Sequence, residues 1–133
     1  MSYSDPSLLQ ADLIAGSETI NNSSASTAIV TIPAGRVFKG SITLTVCNTG
    51  TAAATFDTID ALTAGTGVSP AVGSILLRTQ THAGLTAAEV DSVTAQDIIV
   101  KAPAANSVTI NAKLSAAATT LNGTCSITGV LVG

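Results

Sequence analysis

The stretch Val37-Phe-Lys-Gly-Ser-Ile-Thr-Leu-Thr-Val-Cys47 sets the fold. Ile42, Leu44 and Val46 fall on one side of an extended chain, and Ser41, Thr43, Thr45 and Cys47 on the other. This strict period of two describes a strand with one face in a core and the other covered in hydroxyls. Upstream, Pro33-Ala34-Gly35 reads as a tight turn, Thr27 to Ile32 as the strand before it, and the polar run at 21–26 as an earlier turn. Downstream, Asn48-Thr49-Gly50 ends the strand, and Ala52 to Ile59 is expected to form another, rich in Ala and Thr.

The same reading extends to the end of the chain. Ser74 to Gln80, Asp97 to Lys101, Ser107 to Leu114 and Gly123 to Val132 are predicted strands, and Ala104-Ala105-Asn106 and Leu121-Asn122-Gly123 mark turns between them. In Ser107 to Leu114, Val108, Ile110, Ala112 and Leu114 alternate with Thr109, Asn111 and Lys113. Thr86-Ala-Ala-Glu89 has the spacing of a capping box and predicts one or two helical turns. The segment from Ala61 to Gly73 holds Gly65, Gly67, Pro70 and Gly73 with little apolar period and reads as a long loop. With no helical repeat between the strands, the expected fold is all-β, an antiparallel β-sandwich or jelly roll of about seven to eight strands.

The first residues are different in character. Asp5 can cap a helix opening on Pro6, Leu8, Leu9 and Leu13 supply apolar contacts, and Gly16 can end it. A short N-terminal helix or arm is therefore expected over 1–16, followed by a single β-sandwich domain over 17–133.

Composition bounds the function. The 133 residues suffice for one domain with its own core. That core must be aliphatic, because Tyr3, Phe38 and Phe56 are the only aromatic residues. Charged residues make up 10% of the chain against about a quarter in ordinary soluble domains, so its strands have little charge to keep their edges apart and assembly is the natural remedy. Arg36, Lys39, Arg78, Lys101 and Lys113 are too few and too scattered, in a chain of net charge -3, to follow a phosphate backbone, which excludes nucleic acid as a direct ligand. No apolar stretch reaches membrane-spanning length, and the N-terminus lacks the basic and apolar regions of a secretory signal, so synthesis and folding in the cytoplasm are expected.

No residue pattern announces a chemistry. His82 is the single imidazole and has no Cys or carboxylate at metal-ligand spacing, which favours an ordinary surface loop position. Asp57 with Asp60, and Glu89 with Asp91, read as solvated turn acids rather than an acid–base pair. There is no G-x-S-x-G elbow, and the glycines at 65 and 67 lack the Lys-Ser/Thr ending of a phosphate loop. No catalytic, cofactor-binding or metal-binding residue is expected, and the chain reads as no enzyme. Cys47 and Cys125 leave two readings open, a disulfide closing a long loop or two thiols in a reducing compartment, of which the cytoplasm favours the second.

The segment Thr31-Ile-Pro-Ala-Gly-Arg-Val-Phe-Lys-Gly-Ser-Ile-Thr-Leu-Thr-Val46, with the closing Ile127-Thr-Gly-Val-Leu-Val132, resembles small virion proteins of tailed bacteriophages, particularly capsid decoration (cement) or minor head proteins of actinobacterial phages. The resemblance covers about a third of the chain. It implies a β-rich protein, made in the host cytoplasm, that binds the outside of an assembled head, often as a homotrimer, and reinforces it. On this reading Ser4, Asp5, Pro6, Leu8, Leu9 and Leu13 would contact the major capsid protein, and Thr63, Thr66, Val68 and Pro70 would meet sister subunits. Alternatives are another virion component, such as a tail protein, or a receptor- or carbohydrate-binding sandwich. The last would usually display Trp or Tyr for stacking on sugars, and the chain has no Trp and only Tyr3.

Overall fold

The computed structural model describes residues 12–21, 26–56, 58–87, 89–114 and 121–133. Among them ten strands form: β1 (Leu13–Asn21), β2 (Thr27–Ile32), β3 (Val37–Asn48), β4 (Ala54–Phe56), β5 (Ile59–Ala64), β6 (Ile75–Arg78), β7 (His82–Leu85), β8 (Val90–Lys101), β9 (Val108–Leu114) and β10 (Leu121–Val132). Sheet A has the order β1-β10-β3-β8, sheet B the order β2-β9-β5-β6, and β4 with β7 makes a small two-stranded piece. All pairings are antiparallel. Followed through the eight strands of the large sheets, the chain changes sheet at every step except the β5–β6 hairpin. That path is a jelly roll, two Greek keys wound into a closed sandwich.

The core lies between the sheets and is aliphatic apart from one ring. Phe38, Ile42, Leu44 and Val46 of β3 meet Ile59, Ile110, Leu114 and Ile127 with no exposed surface. Burying each such side chain contributes about 1.5–3 kcal/mol, which is where the period-two pattern acquires its force. The turn at Pro33 closes through the Arg36 N–H donating to the Pro33 carbonyl at 3.1 Å.

Several expectations are corrected. The predicted strand over Ala52 to Ile59 is split between β4 and the first residue of β5, and the predicted loop from Ala61 to Gly73 begins as strand. In β5 the inward side is Ile59, Ala61 and Thr63, too weakly apolar in sequence to reveal its alternation. The remainder of that loop is stapled to the body. The Thr63 hydroxyl donates to the Ala71 carbonyl at 2.7 Å and accepts from the Ser74 N–H at 3.1 Å. Ser69 and Lys101 exchange both backbone hydrogen bonds.

At Thr86 and Glu89 no helix forms. Half of the expected bonding is present within a single turn: the Thr86 N–H donates to Glu89 Oε2 at 3.0 Å, while the Glu89 N–H donates to the Thr86 carbonyl at 3.0 Å. The chain then enters β8 at Val90, seven residues earlier than the predicted strand start at Asp97. Of the expected arm, residues 1–11 lie outside the described residues, while Leu13 to Gly16 form the start of β1 and pair with Val130 to Ile127. Gly16 ends no helix. A Cβ there would run into the Ile29 carbonyl and the Val30 side chain, so its lack of a side chain lets β1 lie against β2 of the other sheet.

The small piece is tied down by Asn48, which is almost fully buried at the end of β3. Its amide donates to the carbonyls of Ala52 at 2.9 Å and Leu85 at 2.7 Å, and its Oδ1 accepts from the Gly50 N–H at 2.8 Å. The β3–β10 register also settles the cysteines. Cys47 stands opposite Asn122 and Cys125 opposite Leu44. The two therefore project from opposite faces of sheet A, and both thiols are free.

Candidate docking face

The two sheets present different outer surfaces to solvent. On sheet B, Asp60 stands between Lys113 of β9 and Arg78 of β6. Arg78 holds Asp60 through two bonds, Nε to Oδ1 at 2.7 Å and Nη2 to Oδ2 at 3.0 Å, and this pairing raises the already high pKa of Arg78. That is an ordinary charged, solvated face.

Sheet A is built otherwise. Its registers align the outward residues in rows running across the strands. One row is Ser17, Ser126, Thr43 and Thr94; the next is Thr19, Thr124, Thr45 and Ser92; on the other side lie Ala15, Thr128 and Ser41. The Ser17 and Thr19 rows contain no charge, and the Ala15 row meets β8 where Asp97 lies outside. Their hydroxyls bond to one another across the strands: Ser17 to Ser126 at 3.0 Å, Thr43 to Thr94 at 3.0 Å and Ser41 to Thr128 at 3.4 Å.

Apolar side chains flank the hydroxyl rows at both ends. Leu13, Val130 and Ile99 share one row with Lys39, Val132 lies a row beyond, and Val90 stands beside Cys47 at the opposite end. Of the seven large apolar side chains exposed among the described residues, these five, Leu13, Val90, Ile99, Val130 and Val132, are on this one face. Two open depressions of about 530 and 470 Å³ adjoin on it, sharing Thr128 in their linings.

The first depression sits over a β-bulge. Between Gly40 and Ile42 the pairing with β8 skips, so that Gln96 and Asp97 oppose a single residue, and Asp97 takes φ of 60°. The bulge turns Ile98 and Val100 into the core and leaves Gln96, Asp97 and Ile99 outside. At the other edge, Arg36 fixes the start of β1. Its Nη2 donates to Asp12 Oδ1 at 3.0 Å and to the Leu131 carbonyl at 3.1 Å, while the Leu131 N–H donates to the Asp12 carbonyl at 2.7 Å.

Of the expected capsid-contact residues, Ser4, Asp5, Pro6, Leu8 and Leu9 lie outside the described residues, and Leu13 is exposed at the rim of this face. Among the expected subunit contacts, Thr66 and Pro70 are exposed, but Thr63 and Val68 are buried. Thr63 bonds within its own loop and Val68 packs in the core. His82 belongs to β7 rather than to a loop. Among the described residues no three of His, Cys, Asp and Glu gather into a metal-binding group, and no helix is long and apolar enough to cross a membrane. Sequence reasoning missed the face itself, although the run of Thr and Ser on β3 and β10 was its signal.

The fold and face define a jelly-roll β-sandwich with one side covered mainly by hydroxyl and apolar side chains. No protein-family model matches the chain, and no curated protein matches it. Among solved structures it is similar to a chain of the acidic stable capsid structure of Helicobacter pylori bacteriophage KHP30, with 10% identity over 91% of each chain and a TM-score of 0.48. It is also similar to a chain of the cyanophage Pam1 capsid asymmetric unit, with 12% identity over 89% of this chain and 83% of that one and a TM-score of 0.42. A third similar structure holds the CBM22-1 and GH10 modules of Clostridium thermocellum endo-1,4-β-D-xylanase 10B, at 15% identity over 92% of this chain and 25% of that one, with a TM-score of 0.42.

Proposed function

We propose that this chain is a structural virion protein of a tailed phage, which binds the outer surface of an assembled capsid and stabilises it. The observation that carries this reading is the outer face of sheet A: exposed apolar side chains are gathered there around uncharged hydroxyl rows, as a contact surface requires and a solvated surface does not. The resemblance of Thr31 to Val46 and of Ile127 to Val132 to phage head proteins supports the same reading. The segment 1–11 leads into the rim of the face at Leu13 and is assigned to the major capsid protein, with sister subunits as the second partner.

Deleting residues 2–11 tests this, because it leaves β1 and the Arg36–Asp12 clamp intact. The expected result is a folded domain that no longer co-sediments with purified heads. Unchanged head occupancy would refute the assignment of the segment, and location of the protein on tails alone would refute capsid binding.

A further inference from the structure

We infer that the outer face of sheet A is the contact surface for a second copy of this chain, packed face to face about a two-fold axis. Three observations lead to this occupant. The first is area. Four strands spaced about 4.8 Å apart, each of roughly ten residues rising about 3.4 Å per residue, present on the order of 700 Å². A stable interface takes about 800 Å² from each partner.

The second is hydrogen bonding. A buried hydroxyl is costly when its partner is lost. Here Ser17 with Ser126, Thr43 with Thr94, and Ser41 with Thr128 supply each other's partners within one subunit. Each pair uses one hydroxyl hydrogen and leaves the other for the partner, which a second hydroxyl-covered sheet can accept. A sugar or an ordered water layer would instead compete for those hydroxyls.

The third is register. Let the axis run along the row Ser17·Ser126·Thr43·Thr94. The row of Leu13, Val130, Lys39 and Ile99 lies two rows to one side of it, and the row of Asn122, Cys47 and Val90 two rows to the other. The two-fold operation lays Ile99 of each copy over Val90 of the other and Lys39 over Cys47. Ile99 and Val90 then cover one another, the Leu13 and Val130 positions come over those of Asn21 and Asn122, and no cation meets a cation. An axis parallel to the strands and running along β3 would instead bring the two Lys39 side chains together.

Sedimentation of the full-length protein across micromolar to millimolar concentration should show twice the monomer mass, with little dependence on salt because the Ser17 and Thr19 rows at the centre carry no charge. Ile99→Glu and Val90→Lys should each weaken association at least about tenfold, and the Ile99→Glu/Val90→Lys double variant should recover most of the loss, since the two positions face each other between copies. Asn111→Glu on sheet B should leave association unchanged. In the unmodified protein, alkylation of Cys47 should slow as concentration rises, a readout that requires no variant to fold. A monomer throughout, a trimer, or a double variant no better than the singles would overturn the inference. These measurements use isolated protein, so their failure is separate from a failure of head binding.

Discussion

Gly40 and Gly129 stand directly opposite each other in the β3–β10 register, and the ring of Phe38 occupies the space that both side chains would need. A Cβ on Gly129 would lie 2.7 Å from Phe38 Cε2 and would also strike the Lys39 carbonyl. The buried ring of Phe38 thus depends on two missing methyl groups. Gly129→Ala should destabilise the fold by about 1–3 kcal/mol in urea denaturation. Adding Phe38→Leu should restore only part of this, because the carbonyl remains in the way. Full recovery would show that the ring alone sets the requirement.

The Asn48 side chain makes three hydrogen bonds from a position with almost no solvent. Asn48→Ala strands two carbonyls and one N–H, and should cost at least about 2 kcal/mol in the same assay. Amide exchange should quicken first in β4 and β7, which this side chain ties to β3. A loss spread evenly over both sheets would contradict that local role.

Asp97 is the only described non-glycine residue with a left-handed backbone, at φ of 60°. Asp97→Gly should raise stability by about 0.5–1 kcal/mol, and Asp97→Val should lower it, since a β-branched side chain tolerates that conformation least. Equal thermal midpoints for the two variants would show that the bulge is imposed without strain at this residue.

Burial pushes the Cys125 thiol up from its ordinary 9.0 to about 12. The folded state therefore keeps its proton in a range where the unfolded chain gives it up. The resulting stability is fully present below pH 9 and is lost as the pH climbs from about 9 towards 12. Cys125→Ala should flatten that decline while lowering stability at neutral pH through the small cavity it leaves. Urea midpoints measured for both proteins across this range check the difference in slope.

Much of the fold was legible because the strands that build the centre of the sandwich alternate strongly. β2, β3, β9 and β10 bury Ile32, Leu44, Ile110 and Ile127 and turn Thr and Ser outward, with Val130 and Val132 of β10 the exceptions that face out, and their turns carry Pro, Gly and Asn. The weaker strands escaped for identifiable reasons. β5 buries Ala61 and Thr63, which do not look like core residues, and Thr63 is acceptable there only because Ala71 and Ser74 satisfy its hydroxyl. The early part of β8 sends Val90 out and Val93 in, and the bulge at Gln96 and Asp97 then shifts the phase, so no single period runs through it. The candidate face was hidden at a different level. Each hydroxyl strand was visible alone, but their alignment into rows depends on register, and register comes from pairing between segments as far apart as Leu13 and Val130.

The contrast between the two sides of the sandwich has a consequence for behaviour in bulk. A folded molecule with Asp60, Arg78 and Lys113 on one surface and aliphatic and hydroxyl rows on the other is an amphiphile whose head and tail are sheets. Two copies joined through sheet A resemble a bilayer leaflet pair, wet outside and dry within. Left without a partner, the same molecule should collect at air–water and plastic surfaces, with sheet B turned to the solution.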